Sequence, residues 1–133
     1  MPEIAVIIPT YNRISFLERA INSVLDQSCS VNQIIVIDDG STDDTKKVIK
    51  TKYPQVTYIH QKNQGVSVAR NRGIIETDCE WICFLDSDDT WHKNKIQKQK
   101  QKIKENSEML FCHTNEIWHQ HGKILNQQKK HKK

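Results

Sequence analysis

What this chain lacks narrows its class before any motif is read. No apolar run approaches the roughly 20 residues that span a bilayer, so no membrane-crossing helix is expected. The chain does not open on a basic segment followed by a long apolar stretch, so no secretory signal is expected; the run Ile4 to Pro9 is too short and reads as a strand. None of the four cysteines, Cys29, Cys79, Cys83 and Cys112, forms a CxxC pair. That spacing argues against zinc and for reduced, mostly buried thiols in a cytoplasmic protein. There is no internal repeat, and the Lys/Gln-rich stretch near residue 100 has too thin a heptad for a coiled coil. His113, His119, His121 and His131 are too scattered to read as a metal site.

What is present fits one globular domain of 133 residues, 36% hydrophobic and 27% charged. The formal net charge is +4, and its basic surplus is unevenly placed. Lys93, Lys95, Lys98, Lys100, Lys102 and Lys104 crowd one stretch, and Lys129, Lys130, Lys132 and Lys133 crowd the end. A solvated helix face and a basic tail account for this, so no nucleic-acid partner is expected; a basic nucleic-acid-binding fragment is the alternative.

Hydrophobic patterning predicts alternating strands and helices. Ile4 to Pro9 and Ile34 to Ile37 are nearly continuous apolar runs, which suits strands covered on both faces. Between them, Phe16, Leu17, Ala20, Ile21, Val24 and Leu25 recur at helical spacing, with Ser15 and Glu18 at capping-box spacing. Asp43 or Asp44 is expected to cap a short second helix through about Lys50. Strands are expected at Val56 to His60, Trp81 to Leu85 and Leu110 to His113, and helices at Val66 to Ile75 and Lys93 to Glu105. Ile117-Trp118 and Ile124-Leu125 flank Gly122 as a candidate hairpin. Strands joined by helices imply a mostly parallel α/β sheet with right-handed crossovers. Ligands of such sheets bind beyond the carboxyl ends of the strands. The polar loops after strands one, two and four all fall on that edge.

Asp86, Asp88 and Asp89 follow an apolar strand. Carboxylates so close repel one another, and a divalent cation with hard oxygen ligands, Mg²⁺ or Mn²⁺, relieves the repulsion. The plainer alternative is a solvated acidic turn with Asp89 capping the next helix. Asp38 and Asp39 end the second strand, and Asp39 has the acceptor-only chemistry to take the imide N–H of a uracil; the alternative is an Asx-turn leading into the helix. Gly65 permits close backbone approach at a helix start. Arg70 and Arg72 point in different directions on one helix, so they do not share a role. Tyr11 offers a flat face for a base.

Ile7-Ile8-Pro9-Thr10-Tyr11-Asn12-Arg13, Ile35-Val36-Ile37-Asp38-Asp39-Gly40-Ser41-Thr42-Asp43, Asn63-Gln64-Gly65 with Ala69-Arg70-Asn71, and Phe84-Leu85-Asp86-Ser87-Asp88-Asp89 occur in that order. Together they resemble the family 2 glycosyltransferases of GT-A fold over about residues 3 to 125. The resemblance implies a Rossmann-like, mostly parallel sheet and inverting transfer of a sugar from a nucleoside diphosphate donor, commonly UDP-linked. It implies a nucleotide-sugar-binding set of Pro9, Thr10, Tyr11, Arg13, Asp38, Asp39, Asn63, Gly65, Arg70, Asp86 and Asp88. It also implies Mn²⁺ or Mg²⁺ on a DXD-type motif, held by Asp88 and Asp89. The acceptor is expected to be a saccharide or lipid-linked saccharide, and the location the cytoplasm up to the inner face of the membrane.

Members of that family place the carboxylate base for the acceptor hydroxyl downstream of the DXD-type motif. After Asp89 this sequence offers only Glu105, Glu108 and Glu116, and none is assigned as the base. The expectation is a GT-A donor-binding domain over 1–125 and a basic tail over 126–133, truncated on the C-terminal side, with no catalytic residue of its own and an uncovered surface suited to a homodimer. Two other folds share parts of the pattern. Asp86-Ser87-Asp88-Asp89-Thr90 fits the D-x-D-x-T signature of haloacid-dehalogenase-like phosphatases, but stands on the fourth strand where that family uses the first. A phosphate-receiver-like domain would need a phosphoacceptor on the third strand, which ends in His60-Gln61.

Overall fold

The computed structural model describes residues 3–105 and the backbone of two further short strands, Phe111–Cys112 and Ile117–His119. The order is β1 (Ile4–Thr10), α1 (Ile14–Leu25), β2 (Gln33–Asp38), α2 (Thr45–Lys52), β3 (Thr57–His60), α3 (Val66–Ile75), β4 (Trp81–Phe84), α4 (Lys95–Glu105), β5 (Phe111–Cys112) and β6 (Ile117–His119). The sheet runs β3-β2-β1-β4-β6-β5. Its first four strands are parallel, as the alternation of strands and helices predicts.

The C-terminal edge of the sheet differs from expectation. The fifth strand does not join the parallel set: β6 lies beside β4 and runs antiparallel to both β4 and β5. The connection between β5 and β6 is too short for a crossover, which leaves a hairpin as the only local solution. The proposed hairpin partner Ile124-Leu125, the scattered histidines beyond His119 and the basic tail 126–133 lie outside the described residues.

β1 is buried along its whole length because both faces are covered. Ile4, Val6 and Ile8 pack with α1, α2 and α4 through Leu17, Ile21, Val24, Ile49, Ile96 and Ile103. Ile7 points to the other face, where it meets Ile35, Ile37, Ile82 and, from α3, Ala69 and Ile74. Here α3 sits directly on β1. A Cβ built on Gly73 would lie 2.5 Å from Ile7 Cγ2, so only glycine permits this approach. Of the cysteines whose side chains are described, Cys79 and Cys83 are buried and Cys29 is half-buried.

Two local signatures are overridden by tertiary contacts. The Ser15–Glu18 capping box does not form: α1 starts one residue earlier, and Glu18 instead accepts from Lys52 Nζ at 3.0 Å and Tyr53 Oη at 3.4 Å. The free amide of Ile14 points to Asp43 Oδ2 at 3.4 Å, from a loop 29 residues away. At α2, Asp44 occupies the N-cap position without a side-chain cap bond, whereas Asp43 Oδ1 accepts the amide of Thr45 at 3.1 Å. The fourth helix, expected from Lys93, begins two residues later at Lys95.

Candidate functional site

The carboxyl ends of β1, β2 and β4 and the start of α3 enclose a cleft of about 420 Å³. Each wall follows from one of the polar loops.

The loop after β1 turns through Asn12, whose φ of 50° is one that asparagine tolerates better than most residues. Asn12 Oδ1 accepts the amides of Thr42 at 2.8 Å and Asp43 at 3.2 Å, and its own amide donates to Ser41 Oγ at 2.8 Å. The first and second loops are thereby stitched together. This leaves Tyr11 47% exposed at the cleft mouth and aims Arg13 across it, with Nη1 3.3 Å from Asp88 Oδ2. Thr10 is buried, and its carbonyl accepts the amide of Asp39 at 2.8 Å. Its hydroxyl is sealed from solvent and has no partner among the described residues.

The aspartate pair after β2 divides. Asp38 turns into the protein, where Oδ1 accepts the amide of Ser41 at 2.9 Å and Oδ2 accepts the Tyr58 hydroxyl. Burial, together with that bond to Asp38, pushes the Tyr58 phenol far above its ordinary value. Asp39 lines the cleft. Its Oδ1 accepts Gln61 Nε2 and the amide of Gln64, both at 2.8 Å, and Oδ2 accepts the amide of Gly65 at 2.9 Å. Burial raises the Asp39 carboxyl, but the bonds from Gln61, Gln64 and Gly65 outweigh it and hold the group below its ordinary range. Three donors leave acceptor capacity on Oδ2. Gly65 reaches this position with φ 98° and ψ 164°, a region open almost only to glycine. Asn63 closes the loop by donating from Nδ2 to the Asp39 carbonyl at 3.0 Å.

The loop after β4 carries the acidic group. Asp86, Asp88 and Asp89 are all exposed, and each offers an oxygen within 4.8 Å of the others. Two are already partnered by cations: Asp88 by Arg13, and Asp86 by Arg70 Nη2 at 3.0 Å. Arg70 also lies over the Phe84 ring, 5.8 Å from its centroid. Beyond Asp86 is a second hollow of about 250 Å³, which Arg70, Asp89, Trp91 and Lys95 help to line.

The structure therefore gathers Pro9, Thr10, Tyr11, Arg13, Asp39, Asn63, Gly65, Asp86 and Asp88 around one cleft. Asp38 is not among its lining residues, and Arg70 and Asp89 face the second hollow. Arg70 and Arg72 do diverge: Arg72 pairs with Glu76 along the helix at 3.0 Å. Sequence reasoning missed Asn12, Ser41, Gln61 and Gln64, which build the cleft without lining it. Asn12, Ser41 and Gln64 stand in the motifs quoted above without a role assigned to them, and Gln61 stands in none of them. Sequence reasoning also missed Val66, Ala69 and Ser87 in the lining.

Comparison with known proteins agrees with this geometry. The family model described as Glycosyl transferase family 2 matches residues 5–130. An uncharacterized glycosyltransferase of Rickettsia conorii is 46% identical over 114 residues, covering 84% of this chain and 19% of that protein. The putative teichuronic acid biosynthesis glycosyltransferase TuaG of Bacillus subtilis is 37% identical over 110 residues, covering 80% of this chain and 44% of that protein. The crystal structure of S. aureus TarS 1-349 in complex with UDP-GlcNAc superposes with a TM-score of 0.70 at 25% identity, covering 79% of this chain and 32% of that one. The chain thus spans less than half the length of each of these relatives. Among the described residues, no helix is long and apolar enough to cross a membrane.

Proposed function

The chain belongs to glycosyl transferase family 2, and from that premise we propose that its cleft binds a nucleoside diphosphate sugar, UDP-linked, for inverting transfer to the hydroxyl of a saccharide or lipid-linked saccharide. One observation carries the reading. A buried, ionised acceptor, Asp39, stands at one end of the cleft and a cluster of carboxylates at the other. With a divalent cation on the acidic end, this arrangement suits a ligand with a donor-bearing base at one end and a diphosphate at the other, and TarS, a structural neighbour, is described in complex with UDP-GlcNAc.

Each wall then has a task. Tyr11 and Pro9 offer the base a flat apolar surface, and Asp39 Oδ2 accepts its imide N–H. Asn63 and Gly65 shape the floor, and Thr10 joins the first and second loops through its carbonyl. Asp38 supports the second loop from inside through Ser41 and Tyr58. Asp86 and Asp88 face the ribose and diphosphate.

The oxygen-only donor set of the acidic loop, with its three carboxylates within reach of one point, fits Mn²⁺ or Mg²⁺ held by Asp88 and Asp89. When bound, such an ion would neutralise the diphosphate as it leaves. Arg13, which pairs with Asp88 here, is half-exposed and free to turn to a phosphate; Arg70 keeps Asp86 oriented. In the transfer, the acceptor oxygen bonds to the anomeric carbon as the bond to the β-phosphate oxygen breaks. The electron pair departs with the nucleoside diphosphate, and the hydroxyl proton passes to a carboxylate base. No described residue is assigned as that base.

Calorimetric titration with UDP, GDP and dTDP, with and without Mn²⁺, tests the reading. UDP is expected to bind, more tightly with the metal. A folded sample that shows no metal-dependent binding of any of the three would overturn it.

A further inference from the structure

The acidic loop is bounded on its far side by residues 91–96, which lead into α4. Their backbone is bonded to the far end of α1. The amide of Trp91 donates to Ser23 Oγ at 3.0 Å, and that hydroxyl itself donates to the carbonyl of Ala20 at 2.7 Å. Gln27, only 8% exposed, donates from Nε2 to the carbonyls of His92 at 2.6 Å and Ser23 at 3.0 Å. Its Oε1 accepts the amide of Ile96 at 3.0 Å. The amide of Ser28 adds a bond to the carbonyl of Lys93 at 2.9 Å.

Both N–H groups and the carbonyl of the Gln27 amide are thus engaged, two of the three by a segment more than 60 residues away in the chain. A buried amide without partners is costly, so this arrangement strongly favours one position of residues 91–96. Ser23 and Gln27 are four residues apart and share a face. At the opposite end of the same helix, Arg13 touches Asp88. The first helix therefore meets the acidic loop near both ends: by an exposed ion pair at Asp88, and by a buried hydrogen-bond clamp just beyond Asp89.

We propose that Gln27 and Ser23 are positioning residues for the acidic loop. By fixing the backbone of residues 91–96 they set the spacing of the Asp86, Asp88 and Asp89 carboxylates, and with it the metal-dependent part of nucleotide binding. The inference rests on the donor-site reading above. The clamp lies behind the loop and none of its hydrogen bonds involves a cleft-lining residue, so its effect is confined to the acidic end and spares the base-binding end at Asp39.

The test is UDP titration by calorimetry with and without Mn²⁺, on wild type, Gln27→Leu, Ser23→Ala and Ser23→Thr, with folding checked by circular dichroism. In Gln27→Leu the Mn²⁺-dependent gain in affinity is expected to fall on the order of 10-fold, as for other changes behind a metal site, while metal-free affinity is unchanged. Ser23→Ala shows a smaller loss of the same kind, and Ser23→Thr, which keeps an oxygen for the Trp91 amide, restores it. If Gln27→Leu does not fold, the serine pair decides. Folded variants that keep the full Mn²⁺-dependent gain overturn this inference alone, as do variants whose metal-free and metal-bound affinities fall together. A wild-type protein with no Mn²⁺-dependent gain overturns the donor-site reading and this inference with it.

Discussion

Asp39 Oδ2 lies 2.9 Å from the amide of Gly65, so the end of β2 is bonded directly to the first residue of the α3 cap. The carboxylate that lines the cleft is the same one that docks the helix. Removing its charge therefore disturbs both.

Asp39→Asn is expected to lower stability by about 1–3 kcal/mol and to weaken UDP binding. An amide has one oxygen where the carboxylate has two, so its NH₂ must confront the backbone N–H of either Gln64 or Gly65. Urea denaturation and UDP titration of the variant check the two effects.

The pH dependence follows from the same group. The Asp39 carboxyl is held below its unfolded value, so the native state binds its proton less readily than the unfolded chain does. Its stabilisation is complete above the unfolded value near 3.8 and is lost as pH falls through the lower native one. Urea midpoints of wild type and Asp39→Asn should therefore converge between about pH 4 and lower values. A gap that stays constant across that range would contradict the assignment.

Asp88→Ala combined with Asp89→Ala is expected to abolish the Mn²⁺ dependence of UDP binding while shifting stability by no more than about 0.5 kcal/mol, because both side chains are exposed. The Asp88 pair with Arg13 is half-exposed and contributes little to folding. Unchanged metal dependence would reduce the cluster to an acidic turn.

Gly73→Ala tests the seat of α3. Alanine gains helix propensity, but its Cβ collides with the fully buried Ile7. The expected net loss is about 1–3 kcal/mol. In an Ile7→Ala background, where the obstructing atoms are gone, adding Gly73→Ala should cost nothing or stabilise slightly. Thermal or urea unfolding of the four proteins forms the cycle.

Much of this architecture is legible in the sequence, for definite reasons. Ile4 to Thr10 and Gln33 to Asp38 are central strands covered on both faces, and such burial writes itself as uninterrupted apolar runs. The strand-end rule then gathers Tyr11, Asp39 and Asp86 in space. What escapes is decided by contacts distant in the chain. Ser15 and Glu18 have the spacing of a capping box, yet Lys52 and Tyr53 take Glu18 away. Asp38 and Asp39 look equivalent as a pair, but neighbouring strand residues face opposite ways. Which of the two meets the cleft depends on where Tyr58 and Gly65 lie. The loop stitch at Asn12 spans about 30 residues and has no local signature beyond one tolerant residue type.

The close seat of Gly73 on Ile7 has a further consequence when taken with the bond that holds the start of α3 to Asp39. One end of the helix is fixed by polar attachment and the other by steric fit, so the helix has no room to slide along the sheet or lift from it without breaking one of them. The cleft thus has one wall attached at two points. Adjustment to ligands of different shape falls to the opposite wall, where the side chains of Tyr11 and Arg13 are exposed.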